Sequence, residues 1–138
     1  MQKRCLDSWA ILAFLRREIP AGQRVRELLQ TATQEPEDTL FLSIINLGEV
    51  YYIVGRAKDL QEAEETIAEI RRLPLTVVPV DDQQVMAAAK LKARFTISYA
   101  DAFALATAVQ LDAPLVTGDP ELTALADTFP IEILTRPG

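Results

Sequence analysis

Histidine is absent from this sequence, and Cys5 is its single cysteine. Without imidazole there is no Ser-His-Asp or Cys-His nucleophile activation, no imidazole acid-base catalysis, and no zinc site that requires histidine. Any chemistry must come from carboxylates, hydroxyls, amines or a metal held by oxygen. One thiol cannot close an internal disulfide, and no apolar stretch starting at Met1 has the length or cleavage site of a signal peptide, so the expected compartment is the cytoplasm. Charge or proline breaks every apolar run well short of the ~20 residues that span a bilayer, and no membrane association is expected. Basic residues are also scarce. With 14 Lys and Arg against 20 Asp and Glu the formal charge is −6, the opposite of the basic surface that usually dominates nucleic-acid affinity.

What the chain does have is apolar material, 49% of its residues, and a length of 138 that fits one domain over 1–138. A chain of this size hides roughly two thirds of its unfolded surface and needs no structural metal or disulfide. Residues 3–6 (KRCL) read as an extended entry and SWAILAFLRRE as a helix with Trp9, Leu12 and Phe14/Leu15 on helical spacing. Pro20 and Gly22 are breakers before a second helix, QRVRELLQTAT, and the polar QEPEDT is the best candidate for a mobile surface loop. TLFL reads as a buried strand, followed by the helix IINLGEVYYIVGRA with Ser43 as its cap. Residues 59–72 form a helix with Leu60, Ala63, Ile67 and Ile70 on one stripe and a solvated acidic face. LTVVPV, APLVT and IEIL read as strands; DDQQVMAAAKLKARF, YADAFALATAVQL behind Ser98, and PELTALAD read as helices. Strand and helix alternating from end to end call for a three-layer α/β/α sandwich around a mostly parallel sheet.

Four acids stand among apolar or small neighbours: Asp7 in CLDSWAIL, Glu49 in INLGEVYY, Asp101 in SYADAFAL and Asp119 in LVTGDPEL. Asp7 and Asp119 directly follow strands, at the carboxyl ends where α/β sheets bind ligands. Asp101 falls in the first turn of its helix and Glu49 about two turns into its own, so all four can converge above that edge. Capping accounts equally well for three of them: Asp7 and Asp119 as N-caps, the latter before Pro120, and Asp101 at capping-box spacing from Ser98. Glu49 has no capping role. Ile45, Asn46, Tyr52 and Ile53 share its helix face, and a buried carboxylate must pair, protonate or bind a cation; Arg56, two turns on, is the structural alternative.

Four converging carboxylates repel one another unless something positive lies among them. All-oxygen ligation selects Mg²⁺ or Mn²⁺ over Zn²⁺, and nothing has the spacing of a calcium loop. Such an ion orients and polarises a phosphate and activates water, which gives a histidine-free chain a route to phosphodiester hydrolysis.

At these residues the chain resembles the PIN-domain family, and in particular the VapC-type ribonuclease toxins of toxin-antitoxin pairs. The resemblance rests on Leu6-Asp7-Ser8 after the first strand, the helix segment from Asn46 to Tyr52 around Glu49, Ser98-Tyr99-Ala100-Asp101-Ala102-Phe103 in mid-chain, and a late Val116-Thr117-Gly118-Asp119. It implies a Mg²⁺- or Mn²⁺-dependent endoribonuclease acting on RNA, a homodimer, and inhibition by a small antitoxin. Asp7 and Asp101 would be the principal metal ligands, Glu49 and Asp119 would complete the cluster directly or through water, and Thr117 would position a water or ligand. Trp9 departs from the small polar residue of many relatives and is expected to pack against the core, while Ser8 supports the site or simply sits in an exposed first turn.

Setting aside the four candidate carboxylates, the formal charge of the remainder is −2, so RNA affinity would depend on the metal and on local basic groups. Lys90, Lys92 and Arg94 before the Asp101 segment, and Arg16/Arg17 at the end of the first helix, are the candidates for phosphate contacts. Two other functions fit parts of the pattern: a catalytically idle PIN-like module that binds a protein, and another Mg²⁺-dependent phosphate hydrolase or phospho-acceptor receiver. Retention of all four acids disfavours the first, and the absence of paired early acids with a late post-strand lysine disfavours a receiver.

Overall fold

In the computed structural model, which describes residues 2–35 and 39–136, strands and helices alternate as β1 (Arg4–Leu6), α1 (Ser8–Leu15), α2 (Ala21–Thr33), β2 (Leu40–Ser43), α3 (Ile44–Ala57), α4 (Leu60–Arg71), β3 (Thr76–Val78), α5 (Asp82–Arg94), α6 (Tyr99–Gln110), β4 (Leu115–Thr117), α7 (Pro120–Thr123) and β5 (Ile131–Ile133). The sheet order is β3-β2-β1-β4-β5 and every pairing is parallel. The expected mostly parallel sheet is parallel throughout the described strands. Chain order reverses between β1 and β4, which makes their carboxyl ends a topological switch point, the place where such sheets open a crevice.

Side chains alternate across the sheet and feed two cores. Leu6, Leu42 and Val116 face a cluster with Ala10, Val25, Leu28, Val50 and Ile70, beneath α1 to α4. Cys5 and Leu115 face the opposite way, onto Phe103, Leu105, Ala88 and Leu122 from α6, α5 and α7. Cys5 is fully buried, and burial pushes its thiol far up, so it behaves as a small apolar residue.

Several boundaries differ from those expected, each for a local reason. The first helix stops at Leu15 rather than running through Glu18. Arg17 turns left-handed at φ 55°, and the Glu18 and Arg17 N–H groups donate to the Ala13 and Phe14 carbonyls at 3.0 and 3.1 Å, a Schellman closure built with arginine in place of glycine. Gly22 is no breaker; it sits in the first turn of α2, where a Cβ would lie 2.3 Å from the Ala13 carbonyl oxygen, so its missing side chain lets α2 cross α1 closely. Of LTVVPV only Thr76–Val78 pairs, because Pro79 has no N–H to donate. Leu60, expected on the inner stripe of α4, is exposed and leans on Gly55 of α3, while Ala63 and Ile70 are buried as expected. PELTALAD is helical only over its first half. Residues 36–38, half of the QEPEDT loop, lie outside the described residues.

Candidate metal centre

Asp7 leaves the end of β1 as the N-cap of α1, its Oδ1 accepting from the Ala10 N–H at 2.8 Å. Asp119 leaves β4 and caps α7, its Oδ1 accepting from the Glu121 N–H at 2.9 Å, with Pro120 at the first helical position. Ser98 caps α6 by accepting from the Asp101 N–H at 3.1 Å, which fixes the backbone of Asp101 and keeps its carboxylate out of the cap. The capping roles are therefore real, and they place the acids rather than consume them. A carboxylate has about four lone-pair sites, and one cap bond leaves the others open.

Hydroxyls and an amide tie these groups together. Thr117, fully buried at the end of β4, donates to Asp7 Oδ2 and accepts from the Asp119 N–H at 3.0 Å, joining the acids of β1 and β4. Thr117 thus holds the Asp7 carboxylate. Ser8 is buried and donates to Glu49 Oε1, so it is no exposed first-turn serine. Glu49 is only half-buried, and Arg56 does not reach it: the Arg56 guanidinium lies over the Tyr52 ring, 5.4 Å from its centroid. The salt-bridge alternative for Glu49 fails on that geometry.

Burial and crowding shape the electrostatics. Asp7 is 1% exposed, and its carboxyl is pushed up to about 7, chiefly by burial, against the lowering effect of the Thr117 and Ala10 hydrogen bonds and with added repulsion from Asp101 and Asp119. Asp101 is raised to about 7 by burial first and by the Asp119 charge next, with Glu49 and Glu121 contributing. Five acids therefore sense one another above the switch point. Among the described residues the ion pairs engage Glu18, Glu27 and Glu132, and none of these five acids.

Asp101, Asp119 and Glu121 each bring a carboxylate oxygen within 4.8 Å of the others. Ligand oxygens around one hard cation stand roughly 2.0–2.6 Å from it and so up to about 5 Å from each other, and the triad fits that spacing. The donor set suits a hard divalent cation, since it is all oxygen and strongly negative. Asp7 and Glu49 lie outside this tightest group, though each oxygen of Asp7 accepts a single protein hydrogen bond and keeps a further lone pair. Glu121 is the member that sequence reasoning missed. Its only sequence signal is a position two residues after Asp119 in the first turn of α7, where an acid also suits the helix dipole.

A model of the PIN domain family matches residues 4–127. The chain belongs to the PIN domain family. Comparison with curated proteins returns no match. Solved structures with similar folds include the Rickettsia felis VapBC2 complex bound to a DNA fragment from its promoter, at 15% identity and TM-score 0.71, covering 97% of this chain and 100% of that one. The Mycobacterium tuberculosis VapC20, a toxin that cleaves the Sarcin-Ricin loop, aligns at 17% identity and TM-score 0.72, over 98% of this chain and 100% of the other. The DNA-bound VapBC of Salmonella typhimurium gives the same identity and TM-score over 96% and 98%. The fold is that of VapC-type PIN domains.

In this PIN domain Trp9 packs against the core as expected and also lies on Gly118, where a Cβ would come within 2.3 Å of the indole. Glycine before Asp119 is what allows the ring to close that side of the site. The Arg136 guanidinium covers the same indole, 5.0 Å from its centroid, and pairs with Glu18 at 3.4 Å. Among the basic groups, Lys92 is spent structurally, its Nζ donating to the Ile97 carbonyl at 2.9 Å, and Arg94 lies over Phe95. Arg16 and Arg17 follow the eight residues of α1, about 12 Å along the axis from Asp7 at ~1.5 Å per residue. No helix among the described residues is long and apolar enough to cross a membrane.

Proposed function

We propose that this PIN domain is a divalent-cation-dependent endoribonuclease of the VapC type, the toxin half of a toxin-antitoxin pair. The observation that carries the reading is the carboxylate triad of Asp101, Asp119 and Glu121, with Asp7 and Glu49 beside it and no cationic side chain paired to any of them among the described residues. Repulsion of this kind is tolerated in a fold when a ligand of opposite charge relieves it. Asp101, Asp119 and Glu121 would hold Mg²⁺ or Mn²⁺, with Glu49 supporting them, and the ion would supply Lewis acidity toward a phosphate and a lowered pKa for water.

The chain's own residues do the rest. Thr117 and the Ala10 N–H immobilise both oxygens of Asp7, so that carboxylate stands fixed at the floor of the crevice. Without a cation the carboxyls of Asp7 and Asp101 are raised to about 7, so both are partly protonated near neutral pH and would give up protons as an ion binds. Ser98 and Asp119 anchor two helix starts, and so hold the triad on rigid elements. RNA would enter over the α5–α6 connection, where Lys90 and Arg94, the latter lying over Phe95, provide the nearest positive charge in sequence. The proposed partners are an RNA substrate, a small antitoxin that covers the acids, and a second copy of the chain.

Incubation with cellular RNA tests this reading. The wild-type chain should cut RNA internally in Mn²⁺ or Mg²⁺ and stop in EDTA, and Asp101→Asn should lose cleavage by at least about a hundredfold while keeping its fold. A fully active Asp101→Asn variant, or cleavage unaffected by EDTA, would rule the mechanism out.

A further inference from the structure

Asn46 lies on α3 one turn before Glu49 and is fully buried. Its Nδ2 donates to the Ala100 carbonyl at 3.2 Å and makes a longer contact, 3.4 Å, with Glu49 Oε1. Its Oδ1 has no hydrogen-bond partner among the described residues. The opposite amide orientation would set Oδ1 against two acceptors, so the chemistry of the neighbours fixes the nitrogen toward them. A buried amide with an unpaired carbonyl is a net loss to the fold, and an apolar residue of similar size would avoid it.

What the amide does is join two helices at the point where each carries an acid. Ala100 is the residue before Asp101 in the first turn of α6, and Glu49 is on α3. Ser8 also donates to Glu49 Oε1, so both donors fall on the same oxygen, and Oε2 receives none among the described residues. We infer that Asn46 is a positioning residue: it ties Glu49 to the backbone beside Asp101 and, with Ser8, clamps Oε1 so that Oε2 alone is left to a cation. The inference rests on the cation-site reading of these acids. Groups that hold metal ligands in place typically contribute tenfold or more to affinity without touching the ion.

The test is a double-mutant cycle on Mn²⁺ affinity, read by titration calorimetry on the whole chain, with melting temperatures taken free of metal. Asn46→Leu should bind Mn²⁺ about tenfold more weakly with an unchanged or higher melting temperature. Glu49→Gln should also bind more weakly, and adding Asn46→Leu to it should cost no more than about a further twofold, because the amide acts through Glu49. If Glu49→Gln weakens binding and Asn46→Leu does not, or if the two losses simply add, the positioning role is overturned and the cation site stands. Wild-type affinity in Glu49→Gln would overturn the positioning role and leave the cation site on the triad, whereas no Mn²⁺ binding by the wild-type chain would overturn the cation site itself. Should Asn46→Leu fail to fold, Asn46→Ser, which is too short to span the two acceptors, carries the same expectation; collapse of both variants without metal would make Asn46 a fold residue and end the proposal.

Discussion

Asp101 bears the largest share of the repulsion above the switch point. It is 5% exposed and feels Asp119, Glu49 and Glu121 at once, which is why its carboxyl rises to about 7. Glu49→Gln removes one of those charges yet keeps an Oε1 acceptor for Ser8 and Asn46. The metal-free variant should therefore lose less stability than wild type as pH rises toward 7, measurable as a flatter dependence of melting temperature on pH. Identical curves would mean that Glu49 does not act on Asp101. Residue chemistry was the most legible level in the sequence. Asp7, Glu49, Asp101 and Asp119 announce themselves because an acid among apolar neighbours needs a reason. Glu121 does not, because an acid in the first turn of a helix already has one. Helical spacing places Asn46 on the face of Glu49 and Ser8 is a candidate support, but that Ser8 donates to Glu49 and that Asn46 reaches the Ala100 carbonyl depend on α1, α3 and α6 meeting in space.

At the scale of elements, helix starts marked by a capping side chain were readable, while α2, whose cap Pro20 makes no side-chain bond, begins two residues before the expected Gln23. Asp7, Ser43, Asp59, Asp81, Ser98 and Asp119 all accept from backbone N–H groups at the starts of their helices, and each is a residue type whose side chain suits that role. Termini closed by backbone geometry leave no such trace, as Arg17 shows. Its left-handed conformation costs an L-residue about 1 kcal/mol or more, so Arg17→Gly should stabilise the protein by about 1 kcal/mol, seen as a rise of a few degrees in melting temperature. A fall would show that the arginine side chain contributes more than the turn costs. Gly22→Ala should act in the opposite direction, losing on the order of 1–3 kcal/mol, because the Ala13 carbonyl that a Cβ would meet is backbone of the adjoining helix and cannot swing away. A neutral result in chemical denaturation would contradict the close crossing of α1 and α2.

For the whole molecule, the two raised carboxyls set the response to pH. Asp7 and Asp101 move from 3.8 to about 7 on folding, so the native state holds protons that the unfolded chain has released. Their contribution to stability is complete below about pH 4 and is lost progressively up to and just beyond pH 7. Glu132, lowered mainly by its bond to Arg24, works in the other direction and loses its contribution on acidification. With metal absent, stability should decline from pH 5 to 8. With saturating Mn²⁺ the decline should flatten, because a ligand bound only by the native state adds about 2.7 kcal/mol at 100 times its Kd, and this one binds the deprotonated acids best. The parallel sheet itself was legible from the strand and helix alternation. The placement of β1 beside β4 was not, since strand order is decided by tertiary packing, and it is that pairing which sets Asp7 against Thr117 and Asp119.

Calorimetric titration of the metal-free chain with Mn²⁺ at pH 7, repeated in buffers of different ionisation enthalpy, tests the cation site most directly. Two carboxyls each near half-protonation at that pH should together release about one proton as the ion binds. Binding with release of about one proton, falling toward none at pH 9, is the predicted result. No binding at millimolar Mn²⁺, or binding without proton release at pH 7, would contradict it.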